Sequence, residues 1–200
     1  MPRHDDVVAR YSELHGGDVA VVAGVRATNS TRTAFDLARW RATDEAVVAV
    51  DALLHAGGVT LDGIARYAAD GRACWHGVQQ IGEVLSLAAP GAESPMETRL
   101  RLALVGAGLP APTLQHRVWD GTGALLARID MAYVESRLGI EYDGACHWAP
   151  TAIRRDLRRQ NSLHALGWTI LRFTADDVLH NRPRLLAQVR TALARTARTA

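Results

Sequence analysis

Asp130, Glu141 and Asp143 are three carboxylates whose spacing brings them to one patch of sheet. Leu125–Val134 and Gly139–Tyr142 are rich in Ile, Leu, Tyr and Val, and only the short stretch Glu135-Ser-Arg-Leu separates them. That pattern predicts two strands joined by a turn. With a tight turn, Asp130 and Glu141 fall opposite each other across an antiparallel pair, their Cβ atoms ~5 Å apart. Asp143 lies two residues beyond Glu141, and the pleat turns it to the same face. Carboxylates this close repel one another, and a divalent cation relieves the repulsion. Hard oxygen donors suit Mg²⁺ or Mn²⁺. Asp143-Gly144 equally suits a strand-ending turn. Arg154, Arg155, Arg158 and Arg159 follow closely; the guanidinium fork matches phosphate oxygens, although a charged run on a helix is also an ordinary solvated face. Arg172 sits inside a strand between Leu171 and Phe173, so it points to either a carboxylate or a phosphate.

The elements that must carry these residues follow from hydrophobic period and punctuation. Asp5–His15 predicts a short helix, and Asp18–Ala23 with Gly24–Thr28 two short strands. Ser30 or Thr31 is placed to cap a helix over Thr33–Trp40, with Phe35, Leu37 and Ala38 inward. Thr43 caps the next, ending at Gly57-Gly58. Two more helices are predicted from Thr60 to Ala68 and over His76–Leu87. Asp36, Asp44, Glu45 and Asp51 belong mostly to solvated faces, and no catalytic constellation appears among these helices. Ser94-Pro-Met-Glu97 forms a capping box before an apolar-periodic run, with Pro95 at the first helical position and Glu97 at the third. Arg101, one turn on, is the expected helical partner of Glu97. Thr113–Trp119 predicts a strand, Ala152–Leu166 a helix, Trp168–Phe173 a last strand and Pro183–Ala197 a closing helix. Trp168 belongs to the core and His164 to the helix surface. Within the helix, Asp156 is explained by intrahelical pairing. The fold class is therefore α/β in the α+β sense, a helical N-terminal region over residues 1–90 and a mixed sheet flanked by helices over residues 91–200. The boundary falls at Ala88-Ala-Pro-Gly-Ala-Glu.

Composition sets the outer limits. The chain has 200 residues, 48% of them hydrophobic, which is ample for a packed core. It shows neither an 18-residue apolar run nor a basic-then-apolar leader, which predicts a cytoplasmic protein with no membrane partner. Cys74 and Cys146 are far apart and form no CxxC, so no disulfide framework or zinc cluster is indicated. Net charge is only +2, yet all 23 basic residues are arginine. Any task usually given to lysine falls to another side chain.

Residues 93–190 resemble the restriction-endonuclease-like nucleases of the PD-(D/E)xK superfamily, in the branch related to the very-short-patch mismatch-repair endonuclease (the DUF559 group). The resemblance rests on Ser94-Pro-Met-Glu97, Asp130, Glu141-Tyr-Asp-Gly144, His147, Arg155-Asp-Leu-Arg-Arg159 and Leu166-Gly-Trp-Thr-Ile-Leu-Arg172. It implies a metal-dependent DNA endonuclease in which Glu97 lies near the metal site and Asp156 and Arg159 form a motif. The superfamily's motif lysine is missing. His147 is the substitute the branch implies, and an imidazole of ordinary pKa about 6.5 serves as acid or base near neutrality. Gly24–Ala38 and Glu45–Leu54 resemble the middle of AbiEi-type antitoxins, whose usual N-terminal winged helix this chain starts too late to include. That resemblance implies a cognate toxin or a second copy as partner. It also keeps open a non-catalytic DNA-binding antitoxin or transcriptional regulator that retains the nuclease fold.

Overall fold

A computed structural model describes residues 9–72, 74–144 and 150–196. Strands β1 (Val19–Val22) and β2 (Val25–Thr28) form an antiparallel hairpin. Helices α1 (Ser30–Trp40), α2 (Thr43–His55), α3 (Leu61–Ala69) and α4 (Ile81–Leu87) follow, then α5 (Pro95–Gly106). The second sheet has the order β3 (Thr113–Trp119), β4 (Leu125–Tyr133), β5 (Leu138–Tyr142), β6 (Thr169–Phe173). Helix α6 (Pro150–Ala165) crosses between β5 and β6, which run parallel; the other pairs are antiparallel. Helices α7 (Ala175–Leu179) and α8 (Arg182–Thr196) close the described chain. The expected α+β class is the observed one.

Several local expectations are corrected. Residues 9–15 are not helical. Instead they are drawn onto Arg32 of α1, which donates to Glu13 O at 2.7 Å and to Ser12 Oγ at 2.6 Å. The same guanidinium is fully buried, pairs with Asp18 and Asp36 at 2.7 and 2.8 Å, and lies over the Trp75 ring. A local helix there would forfeit these tertiary contacts. The cap of α1 is Asn29, whose side chain accepts from Arg32 N at 2.8 Å, so the helix starts earlier than Ser30 or Thr31 as caps would allow. The fourth helix begins as a 3₁₀ turn at Val78–Gln80. The short α7, capped by Thr174, was not foreseen; at five residues it carries too little periodicity to be seen.

Three apolar clusters hold the molecule. One joins α1–α4 through Phe35, Val47, Val50, Ile64 and Val84, and takes Leu102 from α5. The second packs α5, α7 and α8 on one face of the sheet through Leu100, Leu104, Met131, Ile140, Phe173 and Leu185. The third lies under α6, where Ala127, Ile129, Ala132, Leu163 and Trp168 meet. Helix α5 thus serves both halves. It is also tied by charge: Asp51 of α2, 1% exposed, accepts from Arg101 Nη2 at 2.7 Å, Thr98 Oγ1 at 3.0 Å and Ala89 N at 2.7 Å. Asp36 and Asp51 are therefore buried and paired with arginines, and Arg101 partners Asp51 rather than Glu97.

Removing one member of a buried pair strands the other charge, at a cost of about 3–5 kcal/mol. Asp51→Ala is expected to lose that much in urea unfolding. Glu45→Ala, which breaks the half-exposed Arg99–Glu45 pair, is expected to lose about 1 kcal/mol, well short of the Asp51 loss.

Candidate active site

The site is built where β4 and β5 run out of pairing. Their register runs Tyr133↔Leu138, Ala132↔Gly139, Met131↔Ile140 and stops; its next step would set Asp130 against Glu141. On the other side β3 pairs Leu114↔Met131 and His116↔Ile129, skipping the Gln115–Asp130 position between them. Gln115 there has φ +49°, the left-handed region in which a side chain is strained. Across this break the faces change over. Ala127 and Ile129 pack under α6, Met131 packs on the opposite face, and Ala132 returns to α6. The interruption leaves Asp130 beside both layers, with Oδ2 accepting the amide of Tyr142 at 3.0 Å.

Burial foremost, with the neighbouring charges of Glu97 and Glu141, pushes the Asp130 carboxyl up to about 6 against the Tyr142 amide and Arg128. Ser94 caps α5, its Oγ accepting from Glu97 N at 3.2 Å, but the reciprocal half of the expected capping box is displaced by one residue: Glu97 accepts from Ser94 Oγ at 2.9 Å and from the Glu93 amide, not that of Ser94, at 2.9 Å. Its Oε2 also accepts from Gln115 Nε2 at 3.2 Å, so a residue that sequence reasoning passed over connects the helix cap to the strand break. A polar side chain within a strand gave no signal of this; the backbone conformation does.

Glu141, 7% exposed, faces α6 and is wholly engaged. Arg159 donates to both its oxygens at 2.7 Å, and Arg172 Nε adds a contact at 3.2 Å. Arg172 in turn grips both oxygens of Asp156 at 2.7 Å. Asp156 does approach Arg159 at 3.4 Å, but its strong partner is on β6, not within its own helix. The Arg172 contacts hold the Asp156 carboxyl below the usual range despite burial. Its contacts with Asp156 and Glu141 raise the Arg172 pKa in turn, as the Glu141 contacts raise that of Arg159. Arg154, Arg155 and Arg158 are exposed on α6. Asp143 is half-buried and its amide donates to Phe173 O at 2.9 Å. His147 lies outside the described residues.

Glu97, Asp130 and Glu141 suit a hard divalent cation in donor type and in uncompensated charge at Asp130. As folded they do not form a closed ligand shell: among the described residues no three Asp, Glu, His or Cys side chains converge as a metal site. Both oxygens of Glu141 are already taken by guanidinium donors.

Residues 113–193 match the restriction-endonuclease-like family REase_MTES_1575. An uncharacterized protein of Mycobacterium tuberculosis, present in strains CDC 1551 and H37Rv, is 34% identical over 175 residues, covering 87% of this chain and 64% of the relative. The chain thus spans just under two thirds of the length of these relatives. An uncharacterized protein of Haemophilus influenzae is 31% identical over 61 residues, 30% of this chain and 50% of that one. No solved structure gives a significant match. The matched segment begins at the first strand of the four-stranded sheet and contains Asp130, Glu141, Arg159 and Arg172. A nuclease-type domain is what this segment indicates. Among the described residues no helix is long and apolar enough to cross a membrane.

Because the folded pKa of Asp130 lies above its unfolded value, the stability this group contributes is full below about pH 4 and is lost as pH rises through about 6. Asp130→Asn keeps the acceptor for Tyr142 and removes the charge. At about 1.4 kcal/mol per pKa unit, discounted for partial exposure, it is expected to stabilise the protein by roughly 1–2 kcal/mol at pH 7.5. Urea melts at pH 4 and pH 7.5 check this: the gain should vanish at the lower pH.

Proposed function

We propose that this chain is a divalent-metal-dependent endonuclease that hydrolyses phosphodiester bonds of DNA, with the reacting phosphate seated at Asp130. The observation that carries it is Asp130 itself. A half-buried carboxylate stands at a break in strand pairing, beside Glu97 and Glu141, within the segment similar to the restriction-endonuclease-like family. Mg²⁺ or Mn²⁺ would be held by Asp130 and Glu141, with Asp143 as a further donor. Such an ion, when bound, polarises a phosphoryl oxygen and lowers the pKa of its water.

The remaining work falls to the chain's own groups. Asp130 is ionised above about pH 6, and burial with the charges of Glu97 and Glu141 keeps that negative charge unfavourable until a cationic partner arrives. Arg159 and Arg172 stand beside Glu141, placed to take up charge that develops on a phosphate when that carboxylate changes partner. Arg155 and Arg158 reach outward from α6 to the DNA backbone. His147, five residues past the end of β5, takes the proton-transfer role for which no lysine is available. In this reading residues 1–90 are a helical region that docks a partner, either a toxin or a second copy, and residues 91–200 are the nuclease.

One observation favours a second reading. Glu141 is saturated by two guanidinium groups, which suits a DNA-binding regulator that keeps the fold without turnover. Supercoiled plasmid incubated with Mg²⁺ or Mn²⁺ separates the two. Nicking that needs the metal, falls roughly 10²-fold or more in Asp130→Ala and falls substantially in His147→Ala is the expected result. Undiminished cutting by Asp130→Ala would reject the assignment. DNA binding without cleavage, with no Mn²⁺ uptake in calorimetry, selects the regulator.

A further inference from the structure

A second basic surface lies on the sheet face turned away from α6. Arg117 of β3 and Arg128 of β4 are direct partners in the strand register, and both are exposed. The residues that alternate with them, Val118 and Ala127, pack under α6, which turns the two arginines to the opposite face. Like charges directly opposite on neighbouring strands are destabilising. Only one of the two is offset: Arg128 lays its fork on Glu93, at 2.7 Å to each oxygen. The Arg117 guanidinium has no hydrogen bond or ion pair among the described residues.

These side chains line a cleft of about 430 Å³ together with His55 at the end of α2, Gly91 of the segment before α5, and Gln115. Gln115 is the residue that this cleft shares with the surroundings of Glu97. Gln115 donates to Glu97, and its Oε1 is buried without a partner. Arg117 and Arg128 stand two residues along their strands from Gln115 and Asp130.

We propose that this cleft binds the phosphodiester backbone of DNA next to the scissile position, with Arg117 and Arg128 gripping phosphate between them and Glu93 as the carboxylate that the phosphate displaces. A phosphate there turns an opposed pair of cations into a shared anion site, and it replaces an ion pair that is 48% and 34% exposed on its two sides. Exposed pairs of that kind contribute only about 0–1 kcal/mol, so the exchange meets little resistance. The proposal rests on the nuclease reading for what happens at Asp130, while the binding itself needs no turnover.

The test is fluorescence anisotropy of the full chain with a short labelled duplex, in EDTA and over a range of salt, beside plasmid cleavage in Mn²⁺. Arg117→Ala and Arg128→Ala are each expected to weaken binding severalfold and to lower the slope of log K against log salt by about 1. Glu93→Gln is expected to shift affinity the other way, by freeing Arg128. A wild-type affinity and slope in the double arginine variant, or weaker binding in Glu93→Gln, overturns the proposal. If the wild type cuts DNA while the double variant binds unchanged, the cleft falls and the nuclease stands. If nothing is cut yet binding depends on both arginines, the cleft stands and the nuclease falls.

Discussion

The interaction on which the sheet's second half depends is the four-membered charge network of Glu141, Arg159, Asp156 and Arg172. Parallel strands require a crossover element, here α6, and a helix lying on a sheet is free to rotate unless something fixes its face. Glu141 and Arg172 are direct partners in the β5–β6 register. Arg159 and Asp156, one turn apart on α6, engage one of these strand residues each. The helix is thereby fixed in rotation and height over the two strands. Little of this is net stabilisation, since desolvating four charges offsets most of their attraction. Its effect is geometric. The same fixing sets which arginines of α6 face the sheet and which, as with Arg154, Arg155 and Arg158, face solvent.

Helix α5 is the corresponding constraint on the other side. Its Leu100 and Leu104 pack on the sheet, Leu102 packs among α1–α4, and Thr98 and Arg101 are held by Asp51. A helix buried on more than one side loses a clear apolar stripe. Glu97 is its exception, kept at the first turn by its bonds to Ser94 Oγ and the Glu93 amide and turned toward Gln115 and Asp130. The helical half and the carboxylate site therefore share one rigid element.

What could be read from the chain follows from this division between local and tertiary causes. The strands carrying Asp130 and Glu141, their register and the Ser94 cap are set by alternation, turn length and capping, all short-range; that the ladder stops at Met131↔Ile140, one step short of the two carboxylates, is not. The opposite holds for Asp51, Asp36 and Arg101. A charge on an otherwise regular helix looks solvated until the partner, here 50 residues away in the case of Asp51 and Arg101, is known. Residues 9–15 had helical composition, but Arg32 claims their oxygens. Arg159 and Arg172 stood out in the sequence as candidate phosphate-binding arginines, whereas their commitment to Glu141 and Asp156 depends on how α6 lands on the sheet. The strain at Gln115 has no sequence marker, because nothing about glutamine forecasts a positive φ.

The gap in pairing at Gln115 and Asp130 has a mechanical consequence. The β3–β4 ribbon is two short ladders, Thr113–Leu114 with Met131–Ala132 and His116–Val118 with Ala127–Ile129, meeting at an unlaced joint. Either ladder can tilt about that joint without unzipping a rung of the other. Asp130 thus stands at the seam of this ribbon that is free to yield, and the fabric on both sides stays woven.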